Sequence, residues 1–210
     1  MATKRDRTRI AAVVAAGYLA GLAAYPYLPG PFLHVRPSAR LLVAFTLPTA
    51  ALAVYGLFRS LWTHDRVRSG NGAFEQTYHA IVLRAVLFIT ALHMLVMLEL
   101  TGAVDVAAFG LSAGRVVVVL IGLALIAIGN LLPRTRPNIG VGVRTARTLT
   151  SAQLWQQVHR AGGYATVALG VVIAITGIVL THELVAGVAA AGAASAALVV
   201  AVWYRRYARA

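Results

Sequence analysis

Residues 129–163 read GNLLPRTRPNIGVGVRTARTLTSAQLWQQVHRAGG and interrupt a chain that is otherwise dominated by long apolar segments. The stretch is rich in arginine, glycine and proline, and no acidic residue lies between Asp105 and Glu183. A polar stretch of this kind between two apolar runs predicts a loop at a membrane surface that joins two membrane-spanning helices. Residues 129–163 are called the signature loop below.

The composition around the signature loop is that of a membrane protein. Of the 210 residues, 60% are hydrophobic and only 12% are charged, and the mean hydropathy is +0.77. Soluble domains are about half apolar and about a quarter charged. The chain has no cysteine, which excludes disulfides and thiolate metal sites.

Six segments are long and apolar enough to cross a hydrocarbon core, which takes about 20 residues of helix. Backbone groups in lipid must pair internally, so segments of this length are expected to be helices. The sequence therefore predicts an all-α integral membrane six-helix bundle, with spans near 9–27, 39–59, 79–101, 107–131, 159–181 and 184–204.

The basic residues are distributed unevenly about these spans. The formal net charge is +13. Most basic residues lie on the side of the predicted bundle that holds the amino terminus and the signature loop, whereas the other side carries only Arg36 and Arg40. The positive-inside rule then predicts that both termini and the signature loop are cytoplasmic. We expect the basic residues to contact the lipid bilayer and not to bind nucleic acid directly. Those on the predicted cytoplasmic side are Lys4, Arg5, Arg7, Arg9, Arg59, Arg66, Arg68, Arg134, Arg136, Arg144, Arg147, Arg160, Arg205, Arg206 and Arg209.

The first part of the signature loop is expected to be extended. Asn130 and Pro133 should end the fourth span, because proline cannot continue a helical hydrogen-bond ladder. An extended section with arginines at headgroup depth should follow, formed by Arg134, Arg136, Pro137, Asn138, Gly140 and Gly142.

The second part of the signature loop is expected to contain an interfacial helix. Thr150 and Gln153 have the spacing of a capping box. They would open a helix that presents Trp155 on its apolar face and lies along the membrane surface. Gly162 and Gly163 would then allow a bend into the fifth span.

The third span carries a polar stripe. With 100° per residue, four side chains fall within about 40° of one another on a helix, namely those of His79, Thr90, His93 and Met97. Intramembrane polar residues suggest function by default, so His93 could relay protons or bind a ligand. We favour a single interhelical hydrogen bond, because no second histidine or carboxylate lies at ligand spacing.

Two arginines also lie within predicted spans. Arg84 should extend toward the cytoplasmic phosphates along its apolar stem. Arg115 has three candidate ion-pair partners on the outer side, which are Glu99, Asp105 and Glu183.

An ordered set of motifs resembles the signature of the SdpI family of bacterial membrane proteins. The resemblance rests on GNLLP at 129–133, RPN at 136–138, GVRT at 142–145, Trp155 and HRxxG at 159–163. It implies immunity to a secreted toxin peptide sensed outside the cell. It also implies signalling through a transcriptional repressor held at the bacterial cytoplasmic membrane. The residues assigned to partner or headgroup binding are Asn130, Pro133, Arg136, Pro137, Asn138, Gly142, Arg144, Thr145, Trp155, His159, Arg160 and Gly163.

The predicted organisation is two three-helix units. Residues 1–106 form the first unit, and residues 107–210 form a second, SdpI-like unit that contains the signature loop. Leu28-Pro29 after the first span resembles Leu132-Pro133 after the fourth span. Units of opposite orientation that share such features occur in many transporters.

The sequence is compatible with three classes of function. The leading hypothesis is a non-enzymatic membrane protein of immunity or signalling that uses no metal and no cofactor. The alternative is a small transporter or channel with the polar stripe of the third span in its pathway. A membrane enzyme acting on lipid phosphate is third, because no acid/base pair is visible near His159 and Arg160.

Overall fold

The computed structural model describes residues 4–28, 37–65, 72–109 and 112–179, and scattered positions from 194 to 205. Every long element in these residues is helical, which confirms the all-α prediction. The α-helices are α1 (Lys4–Ala24), α2 (Pro37–His64), α3 (Gly72–Leu100), α4 (Ala113–Gly129), α5 (Ala146–Thr150) and α6 (Ala152–Val179). Short 3-10 turns lie at Tyr25–Tyr27, Val106–Phe109 and Leu132–Arg134.

Five of these helices, all except α5, are long and apolar enough to cross a membrane. Large apolar side chains such as Leu19, Leu42 and Ile178 project outward and are exposed, as lipid-facing positions should be. Most of the predicted sixth span, 184–204, and residues 29–36 between the first two spans lie outside the described residues.

The first three helices form a common core. A cluster built on Ile10, Val86 and Tyr78 joins the amino-terminal halves of α1 and α3 to α2. A second cluster, which includes Ala24, Ala44 and Met97, joins their opposite ends. Helix α3 also packs against α4, so the two predicted three-helix units are in contact.

Helices α4 and α6 pack antiparallel along a seam of glycines. A Cβ atom added at Gly122 would lie 2.6 Å from the Gly170 carbonyl oxygen, and one at Gly170 would lie 2.6 Å from the Gly122 carbonyl oxygen. Gly129 and Gly163 face each other one heptad away, and Gly177 packs on Val118 and Val119. Missing side chains at these positions let the two backbones approach closely, as is common in membrane bundles.

A bulky residue in this seam should destabilise the bundle. Gly170→Leu must push α4 and α6 apart, and overpacking of this kind costs about 1–3 kcal/mol. The matched control is Gly56→Leu, because nothing lies within 4 Å of a Cβ at Gly56. Thermal unfolding in detergent should show a lower midpoint for Gly170→Leu alone. Equal midpoints for the two variants would contradict the close packing of α4 and α6 at these glycines.

Candidate functional site: the signature loop

The turn into α5 is capped by two threonines that differ from the predicted pair. The Thr145 side chain accepts from the Thr148 backbone N–H at 3.2 Å, and the Thr148 hydroxyl accepts from the Thr145 N–H at 2.8 Å. The predicted capping box of Thr150 and Gln153 is wrong. Thr150 lies in the last turn of α5, where its hydroxyl donates to the Ala146 carbonyl oxygen at 2.9 Å.

The predicted interfacial helix and its bend are also wrong. Residues 152–163 are the first turns of α6, which runs without a break to Val179. Gly163 stays helical and packs against the end of α4. A Cβ atom added at Gly163 would lie 2.8 Å from the Gly129 carbonyl oxygen and 2.8 Å from Pro133 Cδ, so there is no room for a side chain. The glycine serves close packing between helices and not bending.

Trp155 anchors the start of the loop to α6. Its side chain is fully buried, and its indole N–H donates to Thr135 Oγ1 at 3.0 Å. The Thr135 hydroxyl in turn donates to the Leu132 carbonyl oxygen at 2.7 Å. This chain of bonds ties the turn after α4 to the first turn of α6. It also gives the buried indole the partner that it needs.

His159 anchors the middle of the loop, one helical turn further along α6. Its Nδ1 lies 2.8 Å from the Trp155 carbonyl oxygen, and its Nε2 accepts from the Val143 N–H at 3.0 Å. A neutral imidazole with its proton on Nδ1 fits both bonds. The Trp155 and His159 rings stack with centroids 3.9 Å apart and planes 13° apart.

Gly142 makes the contact with His159 possible. Its φ of +107° lies in the region that side chains rarely adopt, and a Cβ there would overlap the imidazole ring. Only glycine therefore fits the position that brings the Val143 N–H to His159 Nε2.

Asn138 organises the turn formed by residues 136–141. Its side chain is fully buried, and its Oδ1 accepts from the backbone N–H groups of Gly140 at 2.9 Å and Val141 at 2.7 Å. Its Nδ2 donates to the Arg136 carbonyl oxygen at 2.7 Å. An asparagine with these three bonds replaces the backbone pairing that an irregular segment lacks.

Asp65, which the sequence did not single out, docks the loop onto the amino-terminal helices. Its buried carboxylate accepts from the Ile139 N–H at 2.9 Å. Gly140 lies against the Tyr78 ring, and the Tyr78 hydroxyl donates to the Phe58 carbonyl oxygen at 2.8 Å. The sequence feature that could have drawn attention to Asp65 is that it is the only acidic residue between Asp6 and Glu75.

The remaining predicted loop residues lie at the ends of elements or on the surface. Asn130 caps α4 through its backbone and is exposed, and Pro137 is half-buried. The Arg144 guanidinium donates to the Ile139 carbonyl oxygen at 2.5 Å. The loop thus presents cationic side chains outward from a folded backbone. Its exposed arginines are Arg134, Arg144, Arg147 and Arg160.

The two arginines that were predicted to lie within spans bond to backbone carbonyl groups. Arg84 donates to the Ala80 carbonyl oxygen at 3.2 Å, toward the amino-terminal end of α3, which is the direction predicted. Arg115 donates to the carbonyl oxygens of Gly177 and Ile178, the first at 3.0 Å. It thus caps the end of α6, so the predicted ion pair with Glu99 or Asp105 is wrong, and Glu183 lies outside the described residues.

The polar stripe of α3 faces α1 inside the bundle. His93 and Thr90 are buried at 0% and 6% exposure against Gly21 and Gly17 of α1. The interhelical hydrogen bond expected of His93 does not form with any described residue. The described residues also contain no group of three or more metal-ligating side chains.

Five apolar spanning helices and a folded polar loop define a multi-pass membrane protein. Residues 134–204 match the model of the SdpI/YfhL protein family. This match confirms the resemblance to the SdpI family, and it covers the signature loop from Arg134 onward. No curated protein and no solved structure matches the chain.

Replacing Gly142 should undock the loop. In Gly142→Ala, the added Cβ conflicts with His159, and the backbone must leave a conformation that costs a non-glycine residue about 1–3 kcal/mol. Trypsin should then cleave after Arg144 and Arg147 faster than in wild type, in detergent. Gly114→Ala is the control, since its Cβ would meet only Ser112 Oγ at 3.9 Å. Unchanged cleavage in Gly142→Ala would contradict the docked loop.

Proposed function

We propose that this protein is a non-enzymatic component of toxin immunity or of signal transduction in the bacterial cytoplasmic membrane. Its cytoplasmic signature loop would bind a regulatory protein, such as a transcriptional repressor. Its outer face would meet a secreted toxin peptide. The observation that carries the proposal is the division of the signature residues into a buried, bonded scaffold and an exposed set of arginines.

The scaffold would hold the binding surface in one shape. Trp155, His159 and Asn138 are buried and use their polar atoms within the loop. A surface that is ordered before binding avoids the entropy cost of being ordered by its partner. This favours a protein partner, since phospholipid headgroups can be attracted by flexible basic residues alone.

The exposed arginines would determine which partner the loop binds. Arg134 and Arg160 are exposed, and the loop carries no acidic residue to neutralise them. Opposite charge on a partner speeds association and sets its orientation. The expected partner surface is therefore acidic, and both termini would lie on the same, cytoplasmic side as the loop.

The contacts of the loop with α2 and α3 suggest how the outer face could influence it. Asp65 directly follows α2, and Tyr78 lies in the second turn of α3. Both hold the turn at Ile139 and Gly140. A toxin peptide that shifted these helices from the outer side would move the turn, because packed helices transmit displacements as rigid elements.

The partner can be tested by site-specific photo-crosslinking in host cells. A crosslinking amino acid at position 156, where an exposed glutamine of the signature loop lies, should capture a cytoplasmic regulator. The same group at position 59 is the control, because Arg59 is an exposed arginine of α2 outside the loop. We expect Arg134→Ala/Arg160→Ala to abolish capture and Arg59→Ala to retain it.

The proposed role in toxin immunity can be tested with the same variants. A host strain that lacks the protein is complemented with each variant and challenged with the secreted peptide fraction of its own culture. Protection that is lost in Arg134→Ala/Arg160→Ala and kept in Arg59→Ala would support a role of the loop. Full protection by all variants, together with no captured regulator, would contradict the proposed function.

A further inference from the structure

The contact between α1, α2 and α3 contains polar atoms that the signature loop does not use. His93 is fully buried, and neither of its ring nitrogens has a hydrogen-bond partner among the described residues. The hydroxyl of Thr90, one turn earlier on α3, is also buried and equally unpaired within that part of the chain. A buried polar group without a partner loses its hydration with nothing in return, so a partner is expected.

Helix α2 contributes a third polar group at the same place. Pro48 lies inside α2 and has no N–H, so the carbonyl of Ala44 loses the donor that normally lies four residues ahead. In membrane helices, carbonyls freed by proline are paired again by neighbouring side chains or by ordered water. Pro48 itself packs on the Gly17 position, where a Cβ would lie 3.5 Å from its ring.

Gly21 brings the free carbonyl and the imidazole together. A Cβ on Gly21 would overlap the Ala44 carbonyl oxygen and lie 3.3 Å from His93 Nε2. Both atoms are thus close to a single point on α1, which is near enough for one water molecule to bridge them. The Gly17 backbone also lies close to the imidazole without meeting the geometry of a hydrogen bond.

We propose that Thr90, His93 and the Ala44 carbonyl form an internal water-binding site in the membrane-embedded core of the first three helices. Water can donate one hydrogen to the Ala44 oxygen and the other to an imidazole nitrogen of His93, and its oxygen can accept from the Thr90 hydroxyl. Buried waters usually make about three hydrogen bonds to otherwise unpaired groups. The site is separate from the signature loop and does not depend on the proposed function.

Three histidines of the same molecule allow an internally controlled test. The wild-type protein, labelled with 15N-histidine in lipid nanodiscs, is examined by NMR for magnetisation transfer from water to the imidazole rings. His64 is exposed and should show transfer. His159 is buried with both nitrogens bonded to protein and should show none. We expect His93, although fully buried, to show transfer, and the spectrum of His93→Gln assigns its signals.

The role of the carbonyl is tested by Pro48→Ala. This variant supplies an N–H to Ala44 and removes one partner of the water, so the water signal of His93 should weaken. An unchanged signal would overturn the assignment of Ala44. A His93 ring that is as protected from water as His159 in the wild-type protein would overturn the site. In that case, His93 bonds directly to a backbone carbonyl.

Discussion

One imidazole joins the two parts of the signature loop. His159 uses Nδ1 to bond the helix that carries it and Nε2 to bond the Val143 N–H. Without the second bond, the segment from Arg136 to Thr145 would lose its central attachment to α6. Gly142 lets Val143 approach the imidazole, the same ring stacks on Trp155, and the Thr148 hydroxyl donates to the Val143 carbonyl oxygen.

The position of the loop at the surface of a membrane bundle explains why several buried side chains form hydrogen bonds with its backbone. Helices satisfy their backbone groups internally, but an irregular segment at a bundle surface must find other partners. Asn138 supplies partners for Gly140 and Val141, and Asp65 supplies one for Ile139. By the same rule, the buried polar atoms of Thr90 and His93 need hydrogen-bond partners, and none of the described residues supplies one.

The sequence predicted the long elements well, because length and composition alone decide which segments can cross a membrane. It failed where one residue type can serve two purposes. Gly162 and Gly163 suggested a bend, but Gly163 packs closely against Gly129 of α4, and α6 continues through both glycines without a break.

Other failures have the same origin. Thr150 has the spacing of a cap for the helix that carries Trp155, but the neighbouring Ser151 takes that role, because its hydroxyl accepts from the Leu154 N–H at 3.2 Å. Arg115 suggested an ion pair, and the nearest acceptors were the carbonyls that end α6. Local spacing does not reveal contacts such as that of Asp65 with Ile139, which lie far apart in sequence.

The most direct test of this account is amide hydrogen exchange of the wild-type protein in nanodiscs, read at Ile139, Val141 and Val143. Their N–H groups bond to Asp65, Asn138 and His159. If the loop is a docked structure, these amides exchange far more slowly than the amides of an unstructured chain. Exchange at the rate of an unstructured peptide would contradict the account, because the loop would then be a flexible linker.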